Sequence, residues 1–145
     1  MDNCPYCKML SGEIPASIVY RDQHCAAALS LQPINPGHLF ILPRDHLQGL
    51  DDLSPDLSTH LFQVARKMAK ALKESGLECE GVNLFLADGK AAQQTIPHLH
   101  LHVIPRTAGD GFAFKFSPRH AELPTREELK KNAQLLQEVL EKNND

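Results

Sequence analysis

The sequence predicts an α+β fold: a five-stranded antiparallel sheet with one long helix between the third and fourth strands and a second helix at the C-terminus. Three observations lead there. The first three strand-like runs are joined by connections too short for parallel crossovers. A single long stripe of apolar residues at helical spacing separates the third run from the fourth. A capped, amphipathic segment then closes the chain.

The elements follow in order. PASIVYRD (15–22) and HCAAALSL (24–31) read as the first two strands, and QPINPG (32–37) as a turn whose prolines and glycine set the backbone. HLFILP (38–43) is the third strand. Ser54, Pro55 and Asp56 supply an N-cap, a first-turn proline and a first-turn acid. Leu57, Leu61, Val64, Ala65, Met68 and Leu72 then form one stripe that stops at Gly76. GVNLFLA (81–87) and HLHLHVIP (98–105) are the fourth and fifth strands, with a polar loop between them. Thr125 and Glu128 form a capping box for a last helix carrying Leu129, Ala133, Leu136 and Leu140 on one face.

Composition narrows the function classes. With 145 residues the chain reads as one domain, 1–145, able to bury a core without disulfides. Fifteen basic against 18 acidic residues, without a block of either sign, argue against a nucleic-acid stripe or a polybasic membrane patch. No apolar run approaches the roughly 20 residues of a membrane span, and no apolar leader opens the chain. A cytoplasmic protein is expected. Cys25 and Cys79 read as buried or incidental thiols, whereas Cys4 and Cys7 form a C-x-x-C.

The segment IPHLHLHVIPR (96–106) carries the chemistry. On a strand, His98, His100 and His102 share one face and Leu99, Leu101 and Val103 the other. The leucine face suits the core, so the imidazoles are expected to meet solvent, a ligand or polar groups. Three in alternation are hard to explain as a solvated face, which Thr, Lys or Glu would serve equally well. Two readings remain at this level: imidazoles converging on a metal, or one imidazole attacking while its neighbours position substrate. Periodicity does not separate them. C-P-Y-C supplies half of a tetrahedral site; a redox pair is its rival, and no thioredoxin-like βαβ pattern surrounds it.

H-L-H-L-H-V-I, preceded by Q-Q-T-I-P, resembles the signature of the histidine triad family, His-φ-His-φ-His-φ-φ. The similarity runs through SGEIPASIVYRD, P-I-N-P-G-H, I-L-P-R-D-H and H-V-I-P-R followed by GDGF, and so covers nearly the whole chain. It points to the bacterial zinc-containing branch of the Hint and Fhit-like proteins. The resemblance implies a structural zinc held by Cys4, Cys7, His46 and His98, with His100 free to be the nucleophile. It gives His102 the task of binding phosphate oxygens or protonating the leaving group, and places His38 beside the nucleophile. Thr95 and Gln94 become candidate donors to the phosphoryl oxygens, Ser30 falls at the ribose position, and Tyr6 and Leu31 fall near the base. The implied activity is hydrolysis of nucleotide phosphoramidates or dinucleoside polyphosphates, or nucleotidyl transfer, at an α-phosphate. The implied ligand is a nucleotide or related phosphate compound, and the implied assembly a homodimer through a continuous sheet.

Three positions depart from the family pattern. Ser30 stands where an acid or amide commonly holds the ribose, Ala87 where Asn or Gln often contacts phosphate, and Gln93 where glycine is usual. A nucleotide- or phosphate-binding module with little turnover is therefore the main alternative, and a zinc hydrolase with metal on the triad a third.

Overall fold

The computed structural model describes residues 3–142, which fall into two compact units, Met1–Phe112 and Ala113–Asp145. The first contains α1 (Pro5–Ser11), β1 (Ile18–Arg21), β2 (Cys25–Leu29), β3 (Leu39–Pro43), α2 (Pro55–Glu74), β4 (Gly81–Leu86) and β5 (Leu101–Arg106). The strands form one antiparallel sheet in the order β1-β2-β3-β5-β4. The expected architecture is present, with the long helix between the third and fourth strands. The second unit holds a short 3-10 turn, Pro118–Ala121, and α3 (Arg126–Lys142). The capping box closes as expected: the Thr125 N–H donates to Glu128 at 2.7 Å, and the Glu128 N–H to Thr125 Oγ1 at 3.2 Å.

Strand alternation divides the core of the first unit between the two faces of the sheet. Cys25, Ala27, Leu39, Ile41, Leu99 and Val103 pack with the α2 stripe of Leu61, Val64, Ala65, Met68 and Leu72. Ala28, Phe40 and Leu42 pack on the other face with Cys4, Tyr6 and Met9 from α1 and the residue that caps it. The three alanines of β2 are all buried. Ser54 caps α2 by accepting from the Leu57 N–H at 3.2 Å. Each large stripe residue removed from water stabilises this packing by about 1.5–3 kcal/mol.

Helix α1 is absent from the sequence reading. Its signals are present: Cys4 as N-cap, Pro5 in the first turn and Gly12 in the left-handed conformation (φ +84°) at the C-terminal end. Seven residues are too few to be helical on propensity alone. Tertiary burial of Tyr6 and Met9 decides it.

The second difference lies at the histidines. β5 begins at Leu101, so of the three only His102 belongs to the ladder. The chain ahead of it bonds instead to the loop after β3, the Leu99 N–H donating to the Leu47 carbonyl at 2.7 Å. Nor do the imidazoles form a solvated row: His98 and His100 are buried.

The turn from β2 to β3 ends at Gly37, whose φ of +91° suits glycine. A Cβ there would meet Leu72 and Leu77 side-chain carbons at 2.8 Å. We expect Gly37→Ala to destabilise the fold by about 1–3 kcal/mol. The denaturation midpoint should fall with an unchanged slope; an unmoved midpoint would show that the turn relaxes freely.

Candidate active site and metal centre

Fixed backbone groups assign the ring nitrogens of the buried histidines, because a carbonyl accepts and an amide N–H donates. His98 donates through Nε2 to the Pro43 carbonyl at 3.0 Å. Its lone pair is then on Nδ1, which lies 3.5 Å from Cys4 Sγ and 3.6 Å from Cys7 Sγ. His46 Nδ1 lies 3.3 Å from Cys7 Sγ. The ligand atoms of all four residues fall within 4.8 Å of one another. A tetrahedron with Zn–S of about 2.3 Å and Zn–N of about 2.0–2.1 Å has N···S edges of roughly 3.6 Å, close to the spacings present. The His46 and His98 rings stand perpendicular with centroids 5.1 Å apart. The donor set, two thiols and two imidazoles with His98 anchored through its other nitrogen, suits zinc in first and second shells alike. Cys4, Cys7, His46 and His98 can thus hold a metal ion.

His100 is set the opposite way. Its Nδ1–H donates to the His98 carbonyl at 2.8 Å, which leaves the lone pair on Nε2. The ring sits against Tyr6 (centroids 5.1 Å) and Phe40 (6.2 Å). Burial pushes its pKa below the ordinary imidazole value, so the neutral form persists into mild acid.

A short relay sets His102. The Ile34 N–H donates to His38 Nδ1 at 3.1 Å, so the His38 proton resides on Nε2. That nitrogen lies 2.9 Å from His102 Nδ1 and donates to it, leaving His102 with an Nε2–H donor. Burial, with the neighbouring His100 and His38, pushes the His102 pKa down to about 4. Phe40 and Phe85 stand opposite His102 on the adjoining strands, with ring centroids 5.5 and 5.8 Å away. These two aromatic walls were missed in the sequence; their signal was register, which is tertiary information.

The remaining candidates are placed differently. Tyr6 is buried, and burial followed by Cys4 raises its pKa to about 12; it packs edge-on to His98 and His100. Leu31 is 83 % exposed. The Ser30 hydroxyl accepts from the Gln32 N–H at 3.2 Å. Both ends of Gln94 are engaged by backbone, Oε1 with the Gly89 N–H at 2.9 Å and Nε2 with the Gln48 carbonyl at 2.7 Å. Gln94 thus ties the loop before the histidines to the loop after β3. Thr95 is exposed beside it. Ala87 is buried, and Gln93 adopts φ +67°, the left-handed conformation for which glycine is suited.

A network unnoticed in the sequence braces the far end of β5. Arg106 grips Asp110 through two hydrogen bonds of 2.6 Å, and Asn35 donates to Asp110 at 2.7 Å and to the Pro105 carbonyl at 2.8 Å. Arg106 also bonds Asn83 of β4. The Arg106 guanidinium foremost, then Asn35 and backbone N–H groups, holds the Asp110 carboxyl well below the usual range. The turn carrying His38 is thereby tied to the strand carrying His102.

Comparison with known proteins agrees with this geometry. The HIT domain family model matches residues 11–109. A HIT-like protein of Methanocaldococcus jannaschii is 37% identical over 113 residues, spanning 78% of this chain and 86% of its own length. The asymmetrical bis(5'-nucleosyl)-tetraphosphatase of Schizosaccharomyces pombe is 36% identical over 67% of this chain and 53% of its own. The adenosine 5'-monophosphoramidase of Candida albicans is 32% identical over 72% of this chain and 70% of its own. Among solved structures, a HIT family protein from Bacillus anthracis superposes with a TM-score of 0.84 at 35% identity, covering 95% of this chain and 97% of that one. A zinc-bound histidine triad protein from Mycobacterium smegmatis gives 0.74 at 38% identity, covering 81% and 84%. Strand order, the buried histidines and these relatives converge on one assignment: the chain belongs to the histidine triad, or HIT domain, family.

Proposed function

We propose that this protein is a nucleotide hydrolase or nucleotidyl transferase acting at an α-phosphate through a nucleotidyl-His100 intermediate. The observation that carries the reading is the hydrogen bond from His100 Nδ1 to the His98 carbonyl, which reserves the Nε2 lone pair for attack. Nε2 bonds to phosphorus while the bond from phosphorus to the leaving oxygen or nitrogen breaks, and the leaving group takes that electron pair. Water then attacks phosphorus, releases the nucleoside monophosphate and restores the imidazole. In transfer, another nucleophile replaces the water.

His102 Nε2–H supplies a donor for the phosphoryl oxygens in a site flanked by phenylalanine, where such a bond acts at low dielectric. Its depressed pKa supports this hydrogen-bonding role over leaving-group protonation in the ligand-free state. His38 acts through His102, holding its tautomer. Relatives named as a dinucleoside tetraphosphatase and a phosphoramidase support the substrate class. Exposed Leu84 and Phe85 on β4, an edge strand within this chain, support pairing of two copies there.

Zinc on Cys4, Cys7, His46 and His98 would be structural, since a closed four-ligand set leaves no position for activated water. Those ligands join the α1 segment to the loop after β3 and to the residue that orients His100.

A second reading, a nucleotide- or phosphate-binding module with little turnover, is favoured by buried Ala87 and by a Ser30 hydroxyl already engaged with the chain.

Three outcomes test these readings. His100→Ala should abolish turnover of adenosine phosphoramidate and diadenosine tetraphosphate, together with the adenylylated-protein peak in a rapid-quench mass spectrum, while the metal content stays unchanged. Loss of metal in that variant would place the ion on the triad and end the nucleophile reading.

Ser30→Asp should tighten AMP binding, because a carboxylate accepts from both ribose hydroxyls. Hydrogen bonds to a charged group contribute about 1.5–3 kcal/mol each, readable by calorimetry. Unchanged or weaker binding would show that no ribose lies there.

Chelation should lower the melting temperature, because zinc bound to the native state stabilises it by mass action. Cys4→Ser and Cys7→Ser should each do the same, and elemental analysis should find about one zinc per chain. A metal-free protein of unchanged stability would remove zinc from the account and leave His100 standing.

A further inference from the structure

A second group of side chains that could hold a metal ion, Asp22, Cys25 and His60, lies where the β1–β2 hairpin meets the first turns of α2. A pocket of about 430 Å³ opens there, lined by Gln23, His24, Asp45, Ser54, Asp56 and His60 among others. Its lining carries two carboxylates and two imidazoles and, among the described residues, no lysine or arginine, which suits a cation.

The two imidazoles are arranged as a pair. His60 Nε2–H donates to Asp22 Oδ2 at 2.7 Å, which leaves Nδ1 as the nitrogen available to a metal. An imidazole that gives one N–H to a carboxylate is the usual form of a metal-bound histidine. Asp22 is itself held firmly: Tyr20 donates to Oδ2 at 2.8 Å, and the His24 and Cys25 N–H groups to Oδ1 at 2.8 Å each. It remains a carboxylate, because these bonds outweigh the effect of its burial.

The His24 and His60 ring centroids are 5.1 Å apart. Two imidazoles on one ion at about 2.0–2.1 Å with tetrahedral angles have centroids roughly 5 Å apart. His46 and His98 show the same separation at the thiol-containing centre. Cys25 also lies near, with Sγ 3.9 Å from Asp22 Oδ2. It is fully buried and does not line the pocket, so it lies beneath the site.

We propose that His24 and His60, with Asp22 orienting His60, form a second, thiolate-free site for a divalent ion of the zinc class. Imidazole ligands select such an ion over magnesium or calcium, which prefer all-oxygen sets. Binding joins the hairpin to α2 on the sheet face opposite α1. The site is separate from the triad and from the cysteine centre, and its two histidines have no part in the proposed chemistry.

The test is a zinc titration of the full chain by calorimetry, with Co²⁺ absorption as a second readout. The wild type should take up one equivalent of added zinc at micromolar concentration that the His24→Ala/His60→Ala variant does not. Each single variant should weaken that equivalent at least tenfold, and Asp22→Asn by about 10–100-fold. Added Co²⁺ should give weak visible bands for this equivalent without thiolate charge transfer. Added zinc should raise the melting temperature of the wild type but not of the double variant, and both should hydrolyse adenosine phosphoramidate at the same rate. Equal uptake by wild type and double variant, binding only at millimolar zinc, or thiolate bands throughout would overturn the proposal. Because His24 is exposed, its single variant keeps the test informative even if a change at His60 disturbs the helix.

Discussion

The structure depends on the polar contacts that His98 makes. Its Nε2–H is held by the carbonyl at the end of β3, its Nδ1 faces the two thiols of the N-terminal segment, and its own carbonyl accepts the Nδ1–H of His100. One fully buried residue therefore joins α1, β3 and the segment leading to His100. An unpaired imidazole at that depth would be costly, so each polar group must be matched, and the matching leaves no freedom in ring orientation. The tautomer of His100 is a by-product of this packing.

A parallel constraint acts at the other end of the site. The tautomer of His102 is read from that of His38, and His38 takes its own from a backbone N–H in the turn before it. That turn is bound to β5 by Asn35, Asp110 and Arg106. Two histidines with opposite ring assignments thus stand two residues apart, one presenting a lone pair and the other an N–H. The proposed attack on phosphorus, with stabilisation of its oxygens, would use this pairing. Preorganisation of this kind means that little reorganisation remains for the reacting state.

The two-sided core explains where function is placed. β2 and β3 are covered on one face by α2 and on the other by α1 and the aromatic residues around the histidines. The α2 face carries most of the burial, whereas the α1 face mixes aromatic and sulfur-bearing residues with imidazoles. A seven-residue helix has little stability of its own. Holding it through contacts of its cysteines with His46 and His98 on one side and of Tyr6 on the other lets a short segment complete the wall beside His100.

Much of this was legible in the residues. Caps, turn residues and the two apolar periods placed five strands, α2 and α3, because those signals are local and each reports one element. The triad and its partners were legible through resemblance, and Cys4, Cys7, His46 and His98 do meet in space. Other features lie in tertiary structure alone. That β5 starts only at Leu101 depends on the Leu47 carbonyl capturing the Leu99 N–H, a contact across 52 residues that no alternation pattern reports. The ring assignments depend on which backbone group faces each nitrogen, and Phe85 joins the site only through register with β5. The opposed settings of His98 and His100 show the division most clearly. Sequence determined that imidazoles recur at every second position; folding decided which nitrogen of each is free, because a hydrogen bond to a distant carbonyl is a property of the assembled chain.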